Sequence, residues 1–159
     1  MSTATDLAAE ADYDRLANRQ RVAAELARFA DLYTTIDITN GPSIELYEFS
    51  DQPVRATWSF RTNELDEFRT LMRALPKNGP ATKRESDGGT LTLRFGLRDY
   101  GAAVTIYLFG VCEMVDTGEV EEYEDTEVVE ERTVTKTRPK YERRCPDALL
   151  ALADAEVSA

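Results

Sequence analysis

Hydrophobic residues recur at helical spacing in three parts of the chain. These parts lie within residues 1–32, 62–75 and 145–159, and in the last of them Pro146 takes a first-turn position that favours proline. We therefore predict an N-terminal helix, a middle helix and a short C-terminal helix. The apolar stripes are Val22, Leu26, Phe29 and Tyr33 in the first helix, and Leu65, Phe68, Leu71 or Met72, and Leu75 in the second.

Between the helices, polar and apolar residues alternate with the period of a β-strand. Asn40-Gly41 is a strong hairpin signal because both residues tolerate positive φ, and the turn at 87–89 indicates a second hairpin. Residues 102–115 form a near-continuous apolar run, which is typical of a central strand buried on both faces. The predicted strands are 35–39, 44–49, 54–60, 82–86, 90–96 and 102–115.

This order of elements predicts an α+β fold, because hairpin-type strands follow one another with few crossover helices. We expect a single, mainly antiparallel sheet of about six to eight strands, packed against the helices. The chain of 159 residues has the length of one domain. Within it we distinguish an N-terminal helix (1–32), an α+β core (33–118), a charged ribbon (119–144) and a C-terminal helix (145–159).

The ribbon has an unusual distribution of charge. Residues 119–131 carry eight acids and no base, whereas residues 132–144 carry six bases and one acid. Residues 133–137 are rich in β-branched side chains and favour a strand, so we predict a protruding hairpin; a helix is the competing interpretation of the acidic block. Its tip, residues 126–131, contains Val128 and Val129 and has no Gly, Asn or Pro, so a slip of a few residues is compatible with the pattern.

One register of this hairpin pairs opposite charges across the strands. It sets Glu119 against Arg138, Glu121 against Lys136 and Asp125 against Arg132, and it also places Tyr123 beside Val134 and Cys112 opposite Cys145. Such pairs contribute only about 0.2–1 kcal/mol each and select register more than they stabilise. We interpret this ribbon as an interaction arm for a second subunit or another protein, formed by Glu119, Glu121, Tyr123, Asp125, Arg132, Lys136 and Arg138. A solvated arm without a role is the alternative.

Composition removes several classes of chemistry. The chain has no histidine, so Ser-His-Asp and Cys-His catalysis and histidine-based zinc sites are excluded. The net charge of −11 argues against direct binding to nucleic acid, because that affinity comes from clustered Lys and Arg. We find no catalytic constellation, cofactor motif or metal-ligand spacing, and therefore predict a protein that is not an enzyme.

The sequence also bears on compartment and redox state. No segment approaches the roughly 20 apolar residues of a membrane span, and the acidic N-terminus does not resemble a signal peptide. We therefore expect a cytoplasmic protein with no membrane association. Cys112 and Cys145 are then expected to be reduced and buried, with a disulfide or redox pair as the alternative.

Basic residues outside the ribbon suggest a second kind of site. Lys77, Lys83 and Arg84 together with Arg94 could hold an anion, although this region as a whole has no net charge. For a small-ligand site beside the central strand, the candidates are Arg94, Arg98 and Tyr100.

The last third of the chain resembles a known group of proteins. Val111-Cys112-Glu113, then Gly118 and a charged Val/Thr-rich ribbon, then residues 141–146 (YERRCP) and Leu149-Leu150, are similar to small uncharacterised accessory proteins of actinobacterial phages. The resemblance implies a phage-encoded accessory protein acting in the host cytoplasm, and it carries over no catalytic residue. Three functions follow as hypotheses: a protein-binding module that self-associates or binds a host protein, a DNA-mimic inhibitor, or a small-ligand binding protein.

Overall fold

The computed structural model describes residues 4–47, 51–86, 88–127 and 132–155. Within these ranges the α+β class and the three predicted helices are confirmed, and the seven strands form two sheets. The elements are α1 (Ala4–Tyr33), β1 (Ser43–Glu45), β2 (Val54–Phe60), a 3-10 turn (Thr62–Glu64), α2 (Leu65–Ala74), β3 (Thr82–Glu85), β4 (Leu91–Gly96), β5 (Ala102–Leu108), β6 (Glu113–Glu127), β7 (Arg132–Arg144) and α3 (Asp147–Asp154).

The main sheet has five strands in the order β1-β2-β5-β4-β3. It is mixed, because β5 pairs parallel with β2 and antiparallel with β4. The prediction of one sheet with six to eight strands was therefore wrong: β6 and β7 pair only with each other and form a second sheet. The predicted central position of the 102–115 segment is confirmed, since β5 occupies the middle of the main sheet.

All three helices contribute to a core on one face of the main sheet. Phe29 of α1, Phe68 of α2 and Leu149 of α3 join the inward side chains of β2, β4 and β5 in one hydrophobic cluster. Trp58, the single tryptophan, lies in this cluster and is fully buried. The opposite, outer face carries no helix among the described residues, and small hydroxyl side chains occupy many of its positions.

The predicted strand at 35–39 does not form. The chain turns here, with Ile36 N–H donating to the Tyr33 carbonyl, and Thr39 donates through both its N–H and its hydroxyl to a Glu67 oxygen at 2.6 Å. Alternation in this segment reflects a loop with one side packed on the core, where Ile36 is buried. The hairpin partner is also different: β1 pairs with β2, while Phe49 lies outside the described residues.

The predicted 102–115 strand is divided in two. A turn at Phe109-Gly110, with Gly110 at φ +69°, ends β5 and redirects the chain into β6. The ribbon accordingly begins at Glu113 instead of residue 119. Apolar content alone hides this turn, because Val111 and Cys112 beyond it are also buried.

A buried lysine fixes the C-terminal helix. Lys77 is fully buried, and its Nζ donates to the carbonyls of Leu152 at 2.6 Å and Ala153 at 3.2 Å. The last carbonyls of a helix lack an intrahelical donor and favour a cation nearby, so this contact satisfies the end of α3. Burial lowers the pKa of the Lys77 ammonium, and the nearby Asp154 carboxylate opposes that shift.

Candidate functional site

The ribbon of β6 and β7 stands apart from the hydrophobic core. None of the described residues from 113 to 144 belongs to the core cluster or packs against it as a partly buried apolar side chain. At its base, Arg143 Nη1 donates to the Ser86 carbonyl in the turn between β3 and β4. The tip at 128–131, including Val128 and Val129, lies outside the described residues.

A disulfide between Cys112 and Cys145 closes the base of the ribbon. The expectation of two reduced cysteines was therefore wrong, whereas their predicted position opposite each other is confirmed. The reason is local: Glu113 pairs with Arg144 in the ladder, so the next pair of positions brings the two sulfurs together. Gly89 abuts this base, and a Cβ added there would lie 2.7 Å from the Cys112 carbonyl oxygen.

The predicted register holds at the base and fails beyond a bulge. Pairs from Glu113–Arg144 to Asp116–Tyr141 follow it, but after the irregularity between Asp116 and Val120 the ladder is displaced by two residues. Gly118, at φ +75°, donates its N–H to the Asp116 carboxylate and permits this bulge. Glu121 therefore faces Arg138, Tyr123 faces Lys136, Asp125 faces Val134 and Glu127 faces Arg132.

One side of the ribbon, which we call the paired face, carries neutralised charges. Ion pairs join Arg138 to Glu121 at 2.5 Å, Lys136 to Asp125 at 3.0 Å, and Lys140 to Glu119 at 3.7 Å. The Arg138 guanidinium also lies 4.7 Å from the centre of the Tyr123 ring. Of the charged residues that the sequence singles out, Glu119, Glu121, Asp125, Lys136 and Arg138 are thus bound in ion pairs on the paired face. Arg132 lies opposite Glu127 in the ladder.

The contact between Asp125 and Lys136 shifts the pKa of both groups. The hydrogen bond and charge of Lys136 hold the pKa of Asp125 below its ordinary value. The same contact raises the pKa of Lys136. Both groups are charged near neutral pH, and each neutralises the other.

The other side, which we call the open face, was not anticipated from the sequence. It gathers the three exposed large apolar side chains of the described ribbon, Met114, Val120 and Tyr141, at 56%, 70% and 55% exposure. Beyond Val120, toward the tip, the same side carries four threonines and two glutamates, and among the described residues Glu122 and Glu124 have no ion-pair partner. The open face consists of Met114, Asp116, Val120, Glu122, Glu124, Thr126, Thr133, Thr135, Thr137, Pro139, Tyr141 and Arg143.

A second candidate surface lies on the outer face of the main sheet. Thr92 pairs with Arg84 on one side and Tyr107 on the other, and Arg94 follows two positions along the same strand. These side chains line a shallow cavity of about 420 Å³, which Glu85 also borders. Neither guanidinium forms an ion pair within the part of the chain that the structure describes. The Tyr107 ring stacks on Phe109, with 6.2 Å between centroids.

The predicted ligand residues are distributed differently. Arg94 lines this cavity, but Arg98 donates to the Lys77 carbonyl at 3.4 Å and Tyr100 packs against the core. Of the other basic residues, Lys83 is bound to Asp154 at 2.6 Å. Arg84 is therefore the basic residue that the fold places beside Arg94.

Two further findings concern function classes. Among the described residues, no group of His, Cys, Asp and Glu side chains is arranged to hold a metal ion. No described helix combines the length and the apolar character needed to cross a membrane.

The structure thus offers three candidate surfaces: the paired face of the ribbon, its open face, and the cavity on the outer face of the sheet. Comparisons of the chain with family models, curated proteins and solved structures found no match.

Proposed function

We propose that this protein is a non-catalytic protein-binding module, whose ribbon is its binding arm and whose open face makes the contact. The observation that carries the proposal is the gathering of Met114, Val120 and Tyr141 on one side of an arm that lies outside the core. A fold gains no stability from apolar side chains that remain in water, whereas a contiguous exposed patch is typical of an interaction surface.

The construction of the arm supports the same conclusion. A two-stranded ribbon alone is marginally stable in water. Here the disulfide at its base joins the two strands, and the exposed ion pairs of its paired face set their register. The charges of the paired face are thus used within the arm, and the open face is available for a partner. Both long edges of the ribbon are also unpaired among the described residues and offer backbone groups for strand addition.

The test is deletion of Gly118 to Lys140, followed by native mass spectrometry of protein purified gently from an actinobacterial host. We expect the deletion variant to remain folded, because the core cluster contains none of the removed residues. We also expect it to lose the partner or second subunit that the full chain carries. Loss of the folded state in the deletion variant, or retention of the partner by it, would contradict the proposal.

Point variants separate the two faces of the arm. The double variant Val120→Ser/Tyr141→Ser removes apolar surface from the open face, and Tyr123→Ser removes a ring from the paired face as the matched control. We expect the double variant to release the partner and the control to retain it. The reverse result would assign binding to the paired face.

The origin and location of the protein follow as parts of the proposal. A phage-encoded accessory protein would meet its partner in the cytoplasm of the host. The Cys112–Cys145 disulfide argues against a cytoplasmic location, because disulfides persist mainly in oxidising compartments. Alkylation and intact mass of the protein taken directly from host cells would decide it: two labels after denaturation indicate the reducing cytoplasm, and none indicates an oxidising compartment.

A second candidate function rests on the cavity of the outer sheet face. Two arginines that form no ion pair with any described residue, beside a stacked Tyr107–Phe109 pair, offer charge and a ring surface to a small anionic ligand. A mass increment in the native spectrum that disappears in Arg84→Ala/Arg94→Ala would favour it. The DNA-mimic hypothesis has less support, because Glu119, Glu121 and Asp125 are bound to bases and do not form a bare row of negative charge.

A further inference from the structure

We infer that the partner of the open face is the outer sheet face of a second copy of this chain. This inference rests on the proposed function and adds to it the identity of the partner and the surface that it presents. The ribbon of one copy would lie across β3, β4 and β5 of the other.

The two surfaces carry opposite and unsatisfied charge. Glu122 and Glu124 on the open face have no ion-pair partner within the described chain, and neither do Arg84 and Arg94 on the sheet. Within a chain of net charge −11, these two arginines outnumber Glu85, the one acid that borders their cavity, and give it a net positive charge. Opposite charges without a partner on two separate surfaces of one molecule favour contact between two copies.

The spacing of these charges also agrees. Glu122 and Glu124 are two residues apart on one strand, which separates them by about 7 Å. Arg84 and Arg94 are diagonal neighbours on paired strands, and such positions are about 7–8 Å apart. Two carboxylates can therefore meet two guanidiniums at the same time.

The remaining side chains are compatible with sheet-on-sheet packing. Threonines of the open face would meet Thr92 on the outer sheet face. Val120 lies two positions before Glu122, and the exposed ring of Phe109 lies two positions after Tyr107, so each surface carries an apolar group beside its charges. Small β-branched side chains of this kind permit two sheets to approach to about 10 Å.

An extended ribbon cannot bring its Glu122 and Glu124 to the outer sheet face of the same chain. Thr137, the ladder partner of Glu122, is eight residues from Cys145 along β7, which corresponds to about 26 Å of strand. The arginine site, in contrast, adjoins the base of the ribbon, where Arg143 contacts Ser86 and Ser86 lines the same cavity. The reach of the arm thus points to a second molecule.

Reciprocal contacts would close a two-fold dimer, because each copy has one ribbon and one sheet face. An open-face segment of about 25 Å by 10 Å on each ribbon gives about 1,000 Å² of total buried area for the two contacts. This area is at the lower limit for a specific complex, so we expect a dimer in the micromolar range that weakens as salt rises.

The test uses charge reversal and sedimentation velocity over a range of concentrations. Glu122→Arg/Glu124→Arg and Arg84→Glu/Arg94→Glu each place like charges in the contact, and each should raise the dimer dissociation constant at least tenfold. An equimolar mixture of the two double variants restores opposite charges at both contacts, so it should form a heterodimer with an affinity near that of the natural chain. Arg28→Glu/Arg73→Glu, which makes the same charge change on exposed helical residues, serves as the control and should dimerise normally.

The outcomes separate this inference from the proposed function. A natural chain that remains monomeric at 100 µM, or a mixture that stays monomeric while the control dimerises, would overturn the inference. If Arg84→Glu/Arg94→Glu dimerises normally but deletion of Gly118 to Lys140 abolishes the dimer, the arm binds elsewhere, and the inference fails while the proposed function stands. Circular dichroism of each variant, with an unchanged spectrum, confirms that it is folded.

Discussion

Removing the Cys112–Cys145 disulfide should strongly lower the free energy of unfolding. The two cysteines are 33 positions apart, so the crosslink closes a long loop in the unfolded chain. The chain-entropy relation for a loop of this length gives about 3–4 kcal/mol of stabilisation. With a urea m-value of about 1–3 kcal/mol/M, the midpoint should fall by about 2 M.

Trp58 provides the assay, because it is the single tryptophan and is fully buried in the core. Urea titrations followed by its fluorescence would compare the oxidised protein, the reduced protein and Cys112→Ser/Cys145→Ser. The reduced protein is the necessary control, since both cysteines are buried and serine alters their packing. Equal unfolding free energies for the oxidised and reduced forms would refute the reasoning.

Loop length supplies a second, independent check on the same argument. Deleting the 23 residues from Gly118 to Lys140 shortens the separation of the cysteines from 33 to 10. The stabilisation by the disulfide should then decrease by about 1 kcal/mol. An unchanged or larger effect of reduction in the deletion variant would show that the disulfide acts through the folded ribbon and not through the unfolded chain.

Three further substitutions test other contacts of the fold. Lys77→Met should cost about 1–3 kcal/mol in urea unfolding, because it leaves the Leu152 carbonyl at the end of α3 without its lysine donor, whereas the Ala153 carbonyl keeps the Ala81 N–H; a stability gain would contradict the capping role. Gly89→Ala should cost about 1–3 kcal/mol, since it adds a Cβ at φ +78° against a backbone carbonyl, while Gly88→Ala, which meets no atom within 4 Å, should change stability little. The pKa of Asp125 is lower in the folded state, so its pair with Lys136 stabilises the ribbon above the ordinary aspartate pKa and loses that effect as pH falls through the lowered value. An NMR titration of this carboxyl should show its midpoint moving upward in Lys136→Met, and an unchanged midpoint would contradict the pairing.

Local periodicity was sufficient to predict the helices and most strands. Phe29 and Tyr33 of the first stripe and the stripe around Phe68 contact the core cluster as expected, whereas Val22 is buried outside that cluster. The hairpin of β3 and β4 also formed, although Asp87 of its predicted turn lies outside the described residues. These features depend on neighbouring residues, and the sequence displays neighbouring residues directly.

Features that depend on distant contacts were missed. Residues 35–39 alternate like a strand, but Glu67, 28 positions after Thr39, takes the backbone donor that a ladder would need. The parallel pairing of β2 with β5 left no local signal either. Which strand or side chain a backbone group pairs with depends on competition between residues that are far apart in the chain.

The candidate site shows the same division. Alternating charge predicted a ribbon with acids facing bases, and it placed Cys112 opposite Cys145 correctly. A bulge of a few residues at Gly118 displaced the upper register by two positions. The charge pattern predicted only the face on which acids and bases pair. The opposite face, with Val120 and Glu122, was not predicted, although strict alternation along the strand would have identified it.

The central position of β5 has a consequence for the order in which the protein folds. β5 is the last strand of the main sheet to be synthesised, yet it separates β2 from β4. Val54 and its partner Ala102 are 48 positions apart, and contacts between distant positions slow folding because the loop must close first. A nascent chain that ends before Ala102 holds two disconnected strand pairs with exposed apolar faces, so the sheet assembles only after β5 has left the ribosome. The core is completed later still, because Leu149 and Ala153 of α3 belong to it and are synthesised after the ribbon.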